Sequence, residues 1–361
     1  MKLSELLKEI QYTRLIMPKE EVDVLGVNID SRLIEKGDLF IAVRGTQTDG
    51  HAYITAAEEK GAVAIVCEEL PERQNPNIAY INVTNAQSIT GKLATTFYGN
   101  PSQKLRLVGV TGTNGKTTIA TLLYDLYRRM GYRAGLISTV VYRIDEREIP
   151  STHTTPDAIR LNAMLREMVD CGCDYCFMEV SSHSLVQDRV RGLKFRGAMF
   201  TNLTHAHLDY PGTYAEYIRA KKLLFDRLDK QAFALVNIDD RNGEVMVQNC
   251  RAQVSRYSLR TMADFRCKVL EMLFDGMLLR MGQHELWVKF LGRFNAYNLL
   301  SVYGAAMLLG ADEGEVLQAM SSLQLVSGRF EPLHSEQGVT AIVDYAHTPD
   351  ALEKVIATIN D

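Results

Sequence analysis

The stretch that most constrains this chain is Val108-Gly-Val-Thr-Gly112-Thr-Asn-Gly115-Lys116-Thr117-Thr118. It follows an apolar segment, Leu105 to Val110, with strand character. It opens a segment from Thr117 to Met130 whose apolar residues recur at helical spacing. A strand that feeds a helix through such a turn begins a parallel α/β sheet and gathers backbone N–H groups at one point. Glycine lets those groups turn inward without a Cβ clash. The helix start adds unpaired donors and the positive end of its dipole. Lys116 adds a point charge for outer phosphates, and the Thr117 hydroxyl is placed to ligate magnesium. Val110 stands where the general phosphate loop has its first glycine. A tight structural turn would explain the glycines, but not a lysine and two threonines at the helix start. Gly112, Thr113, Asn114, Gly115, Lys116, Thr117 and Thr118 are therefore expected to bind a nucleotide.

At 361 residues the chain exceeds what one hydrophobic core usually organises. Residues 1–104 read as a small α/β unit, with strands at Asp38 to Val43 and Ala62 to Val66 and helices at Ala52 to Lys60 and Gln87 to Phe97. Tyr98-Gly-Asn-Pro-Ser-Gln-Lys104 is turn-rich and marks a boundary. Residues 105–332 then alternate strands with longer helices, the pattern of a doubly wound parallel sheet. Its further strands are expected at Tyr175 to Val180, Gly197 to Thr201 and Phe233 to Asn237. A small antiparallel excursion over Lys268 to Phe290 turns at Asp275-Gly276, and helices follow at Asn295 to Leu309 and Glu313 to Leu323. Residues 333–361 hold one strand, Thr340 to Asp344, and a helix from Pro349, which reads as the start of a third, Rossmann-like domain.

Forty basic residues against forty-four acidic ones leave a formal charge of -4, which gives no reason to expect nucleic acid or an anionic membrane as partner. No apolar run approaches the roughly 20 residues that span a bilayer, and Met1-Lys-Leu-Ser-Glu5 has no signal core. A cytoplasmic protein, most simply a monomer, is expected. Its six cysteines are then thiols. Cys171-Gly-Cys173-Asp-Tyr-Cys176 invites a zinc reading, but no second spaced pair follows, so packed thiols are expected.

Glu179 ends an apolar strand. Ligands of open parallel sheets gather at the carboxyl ends of strands, so this acid is placed to reach the magnesium of a nucleotide on the loop. The next strand ends in Thr201-Asn-Leu-Thr-His205-Ala-His207-Leu-Asp209-Tyr210, whose histidines can ligate metal or serve as polar loop residues. Lys221-Lys222 lies in a helical segment, where a lysine is by default solvated.

Taken together, Thr111-Gly-Thr-Asn-Gly-Lys-Thr-Thr118, His153-Thr-Thr-Pro156, Met178-Glu-Val-Ser-Ser-His183, Thr201-Asn-Leu-Thr204 with His207-Leu-Asp-Tyr210, and Asp344-Tyr-Ala-His347 resemble the Mur ligase family. Asp30-Ser-Arg32 and Arg44-Gly-Thr-Gln-Thr-Asp-Gly50 resemble the first domain of that family. The resemblance implies an ATP-dependent amide ligase of peptidoglycan precursor synthesis. It would add the third amino acid, meso-diaminopimelate in preference to L-lysine, to a UDP-N-acetylmuramoyl dipeptide through an acyl phosphate.

By the same resemblance Ser31 contacts the UDP portion, and Thr154, Thr155, Ser181, Gln187 and Arg189 hold the muramoyl peptide. The phosphate loop with Asn298, Arg329, Asp344 and His347 embraces ATP. Thr117 and Glu179 ligate one magnesium, Glu179 and His207 help with a second, and Lys221 becomes a carbamate that orients the metals. Lys116, Glu179, His207 and Lys221 are the expected catalytic set.

Two departures stand out: Ala206 where the family usually has an acid, and Pro211 where histidine is common. With only the start of a third domain, the chain is expected to bind the UDP-substrate and to turn over poorly. The rival readings are another P-loop amide ligase such as folylpolyglutamate synthetase, a P-loop kinase or transport ATPase, and a non-catalytic nucleotide-sugar binder.

Overall fold

The computed structural model describes residues 1–45, 48–204, 213–273, 275–334, 339–346 and 349–360. Contacts divide the chain into two compact units, one of Met1–Lys104, Pro156–Glu167 and Val186–Leu193, the other of Leu105–Thr155, Met168–Leu185 and Lys194–Asp361.

The first unit holds α1 (Leu3–Leu6), β1 (Arg14–Ile16), β2 (Gly26–Asn28), β3 (Asp38–Ile41), α2 (Ile54–Glu59), β4 (Ala64–Cys67), β5 (Ala79–Asn82) and α3 (Ala86–Phe97). Its sheet runs β1-β5-β4-β3-β2, parallel except for β1. Strand alternation sorts the side chains into two cores. Leu39, Ile41, Val66 and Ile81 pack with Leu93 and Ala94 of α3, while Phe40, Ile65 and Tyr80 pack with Ile54 and Ala57 of α2. The Asn85 side chain caps α3 by accepting from Ser88 N at 2.8 Å.

The second unit continues with β6 (Arg106–Thr111), α4 (Lys116–Arg129), β7 (Ala134–Ile137), β8 (Val141–Ile144), β9 (Arg147–Pro150), α5 (Ala158–Asp170, which begins in the first unit), β10 (Tyr175–Glu179) and α6 (Ser182–Val186). There follow β11 (Gly197–Phe200), α7 (Tyr214–Asp226), β12 (Phe233–Asn237), α8 (Gly243–Val247), β13 (Gln253–Ser258), β14 (Phe265–Leu273), β15 (Gly276–Met281), β16 (His284–Val288), α9 (Arg293–Leu308) and α10 (Glu313–Ser321). Last come β17 (Glu331–His334), β18 (Thr340–Val343) and α11 (Pro349–Asn360).

Eleven strands form one sheet in the order β16-β15-β14-β13-β12-β11-β6-β10-β7-β8-β9. The run from β14 to β7 is parallel, and antiparallel hairpins extend both edges. The chain leaves β6 toward β7 on one side and returns to β11 on the other. The carboxyl end of β6 is thus a topological switch point, where open α/β sheets hold their ligands. Buried β strands such as Phe233–Asn237 carry no polar face to water, as helix-covered parallel strands require. Leu123 and Tyr127 of α4 and Leu299, Leu300 and Val302 of α9 share one core with Phe177, Met199 and Leu235. β17 and β18 form a separate two-stranded sheet.

The fold is α/β with parallel sheets, as the strand–helix alternation implied, and most expected elements lie within a few residues of their places. The sequence reading named none of β7, β8, β9 and β13. Within the cysteine cluster, Cys173 and Cys176 are buried and Cys171 is exposed. Burial pushes the Cys173 thiol up to about 11 and the Cys176 thiol well above the ordinary value. No helix among the described residues is long and apolar enough to cross a membrane.

Candidate active site

A cavity of about 920 Å³ opens at the switch point, wholly within the second unit. The loop between β6 and α4 forms its floor. Gly112 and Gly115 adopt φ of +148° and +87°. A Cβ on Gly112 would lie 1.9 Å from Thr201 Oγ1, and one on Gly115 would lie 2.6 Å from Asn298 Oδ1. Both glycines are required by conformation and by space. The loop is also tied to the end of β11. Thr201 Oγ1 donates to Asn114 O at 2.7 Å, Thr113 N donates to Asn202 O at 2.8 Å, and Asn114 N donates to Asn202 Oδ1 at 3.1 Å.

Two amines converge on the Gly112 carbonyl. Lys116 Nζ donates to it at 3.0 Å and to Thr113 O at 2.8 Å, while Lys221 Nζ donates to the same Gly112 oxygen at 2.9 Å. Helix α7 positions Lys221. Thr213 and Glu216 form a capping box at its start, and its inner face buries Tyr217, Lys221, Leu224 and Phe225. Lys221 is 1% exposed and stands 4.5 Å over the Tyr217 ring. The default of a solvated helical lysine therefore fails here, while its neighbour Lys222 is half-buried and pairs with Asp226 one turn on. Burial first, then the charge on Lys116, push the Lys221 amine well below its ordinary value. Burial also lowers Lys116, with Glu179 opposing and Arg329 assisting.

Glu179, 1% exposed, ends β10 beside β6. Its Oε1 accepts from Thr139 N at 2.7 Å and its Oε2 from Thr139 Oγ1 at 3.2 Å. Thr117 Oγ1 accepts from Arg329 Nη2 at 2.9 Å. The Arg329 guanidinium lies 4.8 Å over the Tyr345 ring, and its buried Nε has no partner among the described residues. Asp344 holds the backbone beneath, accepting from Phe330 N and Ala346 N at 2.7 Å each. Asn298 Nδ2 donates to Asn295 Oδ1 at 3.0 Å.

The cavity brings together Thr113 to Thr118, Thr154, Glu179, Ser181, Lys221, Asn298, Arg329 and Asp344. Thr155 is 1% exposed and works behind the wall, donating to Glu179 O at 2.8 Å. Ser31, Gln187 and Arg189 belong to the first unit, where Arg189 Nε donates to Gln187 Oε1 at 2.8 Å. His205, Ala206, His207, Asp209, Pro211 and His347 lie outside the described residues. The sequence reading missed Thr139 as a site residue and gave Asn202 no role. Asn202 stands just past an apolar strand, and that position was its available signal, while Thr139 follows a strand too short to be named from the sequence.

The donor set fits a hard divalent cation. Thr117 and Glu179 offer oxygen, and no group of three or more His, Cys, Asp and Glu side chains among the described residues gathers as a metal cage. One carboxylate completed by phosphate oxygens is the usual magnesium arrangement. The paired amines and the glycine cradle call for a polyanion.

A phosphate loop at the switch point of a parallel sheet places the chain among the P-loop nucleotide-binding enzymes. Two family models narrow this: the Mur ligase middle domain matches residues 110–306, and the Mur ligase family catalytic domain matches residues 23–98. The chain belongs to the Mur ligase family. It is 58% identical over 360 residues to the UDP-N-acetylmuramoyl-L-alanyl-D-glutamate--2,6-diaminopimelate ligase of Bacteroides thetaiotaomicron, covering 100% of this chain and 74% of that protein. A solved structure of a ligase of the same name superposes with a TM-score of 0.79 at 29% identity, covering 93% of this chain and 70% of that one. The fold is shared with the MurF ligase of Thermotoga maritima in complex with ADP, at a TM-score of 0.65 and 20% identity over 92% of this chain and 74% of that one.

Proposed function

We propose that this chain uses ATP to join 2,6-diaminopimelate, as its meso form, to the D-glutamate carboxylate of UDP-N-acetylmuramoyl-L-alanyl-D-glutamate. The observation that carries the reading is the pair of amines on the Gly112 carbonyl, Lys221 buried and Lys116 half-buried, in one cavity with Thr117 and the Glu179 carboxylate. The name borne by relatives as similar as that of Bacteroides thetaiotaomicron supports the choice of substrates.

A carboxylate is a poor electrophile. Its oxygen attacks the ATP γ-phosphorus, the bond to the β-phosphate oxygen breaks, and ADP leaves an acyl phosphate. The amine of the incoming amino acid then adds to the acyl carbon, loses a proton, and expels phosphate from the tetrahedral adduct. Lys116 neutralises the crowded oxyanions of the first step. Thr113 to Thr118 with Asn298, Arg329, Asp344 and His347 hold ATP, and Arg329 leaves the Thr117 hydroxyl for phosphate. Magnesium, when bound by Thr117 and Glu179 and at a second position by Glu179 and His207, supplies charge neutralisation of the transferring phosphoryl group.

Thr154, Thr155, Ser181, Gln187 and Arg189 orient the muramoyl peptide, and Ser31 in the first unit takes the UDP end. Burial favours the neutral form of the Lys221 amine, the form that adds to carbon dioxide, releasing a proton and leaving a carbamate at this position. The enzyme then works as a cytoplasmic monomer on soluble substrates. In an assay with ATP, magnesium and the UDP-dipeptide, hydroxylamine should trap the acyl phosphate as a hydroxamate. ADP release without hydroxamate, and without dependence on the amine, would reduce the chain to an ATPase.

A further inference from the structure

Glycine inside a helix weakens it, because its backbone gives up more freedom on folding than that of alanine. Gly91 nevertheless stands buried in the middle of α3, two residues before Leu93 of the core. Space explains its presence. A Cβ there would lie 2.2 Å from Arg191 O and 3.2 Å from Asp188 O. Both carbonyls belong to the turn 188–191, which follows α6 and lies in the same unit as α3. A Cβ on Gly192 would in turn lie 3.2 Å from Gly91 O. The contact is backbone on backbone, so no change of rotamer can relieve it.

The turn is closed by its own contacts. Arg191 N donates to Asp188 O at 3.0 Å, and Arg191 Nη1 donates to Asp188 Oδ2 at 3.0 Å. Asp188 takes a φ of 52°, in the left-handed region that aspartate enters more readily than most residues. Such a turn moves as a body when it is pushed. It carries Gln187 and Arg189, whose side chains are already joined, Arg189 Nε donating to Gln187 Oε1 at 2.8 Å. A guanidinium recognises a carboxylate through a planar fork, so its place and tilt decide how well it binds. Relieving the overlap at Gly91 would shift the turn by about 1 Å, and a misplacement of that size can cost roughly 100-fold.

We propose that Gly91 is a positioning residue for the muramoyl peptide: it lets the turn 188–191 seat on α3 and so sets where the Gln187–Arg189 pair meets a carboxylate of that peptide. This rests on the ligase reading, which gives Gln187 and Arg189 to that substrate. Gly91 itself touches no ligand and acts only through the pair it seats.

The test is calorimetric and needs no turnover. UDP-N-acetylmuramoyl-L-alanyl-D-glutamate, UDP alone and the magnesium complex of a non-hydrolysable ATP analogue are each titrated into wild type, Gly91→Ala, Arg189→Ala and the double variant. Gly91→Ala should bind the UDP-dipeptide about 10- to 100-fold more weakly. It should bind the other two ligands within about twofold of wild type. Arg189→Ala should weaken the UDP-dipeptide by about tenfold or more, as loss of a charge-assisted contact does. Adding Gly91→Ala to Arg189→Ala should then cost at most about threefold more, because the two act as a unit. Leu93→Ala is the packing control on the same helix: it should lower the melting temperature and leave every affinity within about twofold. Wild-type affinity in Gly91→Ala, equal weakening of all three ligands, or additive losses in the double variant overturns the proposal. Unchanged affinity in Arg189→Ala overturns the assignment of that residue to the substrate, and the proposal with it. Failure of wild type to bind the UDP-dipeptide sinks the ligase reading itself. Should Gly91→Ala misfold by circular dichroism, Asp188→Gly takes its place, since it loosens the turn without touching α3. It should weaken the UDP-dipeptide about fivefold with UDP unaffected, and unchanged affinity there overturns the proposal.

Discussion

Replacing Lys221 with methionine should separate stability from activity. Lys221 is 1% exposed, and among the described residues its amine has one hydrogen bond, at 2.9 Å to Gly112 O, and one ring contact at 4.5 Å. Losing the hydrogen bond costs about 1 kcal/mol, and losing the ring contact costs up to about 2 kcal/mol. Against this stands the burial of an ionisable amine beside Lys116, a penalty of several kcal/mol. Methionine fills nearly the same volume with no charge to desolvate. Lys221→Met should therefore be as stable as wild type near pH 7, or more stable by about 1–2 kcal/mol.

The pH dependence is sharper. The unfolded chain keeps its proton up to the ordinary value of 10.5, while the folded amine gives it up well below that. Between those two values the unfolded state binds one more proton. Wild-type stability therefore rises with pH, by about 1.4 kcal/mol per unit, and it levels off below the folded value. Lys221→Met should lack that slope. Urea denaturation followed by circular dichroism at pH 8, 9 and 10, in buffers free of carbon dioxide, measures both chains. Parallel pH profiles, or a variant less stable by more than about 2 kcal/mol at pH 7, would refute the assignment of Lys221 as a destabilising functional amine. Amine-dependent ADP release should be lost regardless.

Gly112→Ala forces a Cβ to within 1.9 Å of Thr201 Oγ1 at a φ of +148°. Thermal melting should show a loss of about 2–4 kcal/mol, and calorimetry a nucleotide affinity down at least about tenfold. Gly131→Ala is the control. Its φ is +86° with nothing within 4 Å of the new Cβ, so it should cost only about 1 kcal/mol and leave nucleotide binding intact. Arg329→Met removes the guanidinium that donates to Thr117 Oγ1 at 2.9 Å. Affinity for the magnesium–analogue complex should fall roughly tenfold, as expected for a charge-assisted contact, with the melting temperature nearly unchanged.

How far the sequence could be read depends on whether a signal is local. The Gly112–Thr118 loop declares itself because its chemistry and its conformation come from consecutive residues, and each glycine answers to a positive φ. Glu179 was legible because an apolar strand that stops on an acid is visible in one dimension. β8 and β9 were not, because each is only four residues long and their turn rests on Asp145 at a φ of 52°, where no glycine marks the reversal. β7 is only four residues long, Ala134–Ile137, too short for periodicity to register.

Lys221 shows the deeper limit. Spacing along α7 puts Lys221 on the stripe of Tyr217, Leu224 and Phe225, but a lysine on an apolar stripe can still carry its amine out to water, and only the packing shows that this one stays in. A buried amine costs the fold stability unless something anionic or covalent compensates for it. Lys116 already presents an amine to the same carbonyl, so a second one there serves no purpose in holding the apo loop together. The two amines make sense only as parts of a site that expects negative charge to arrive. That expectation follows from charge and burial alone.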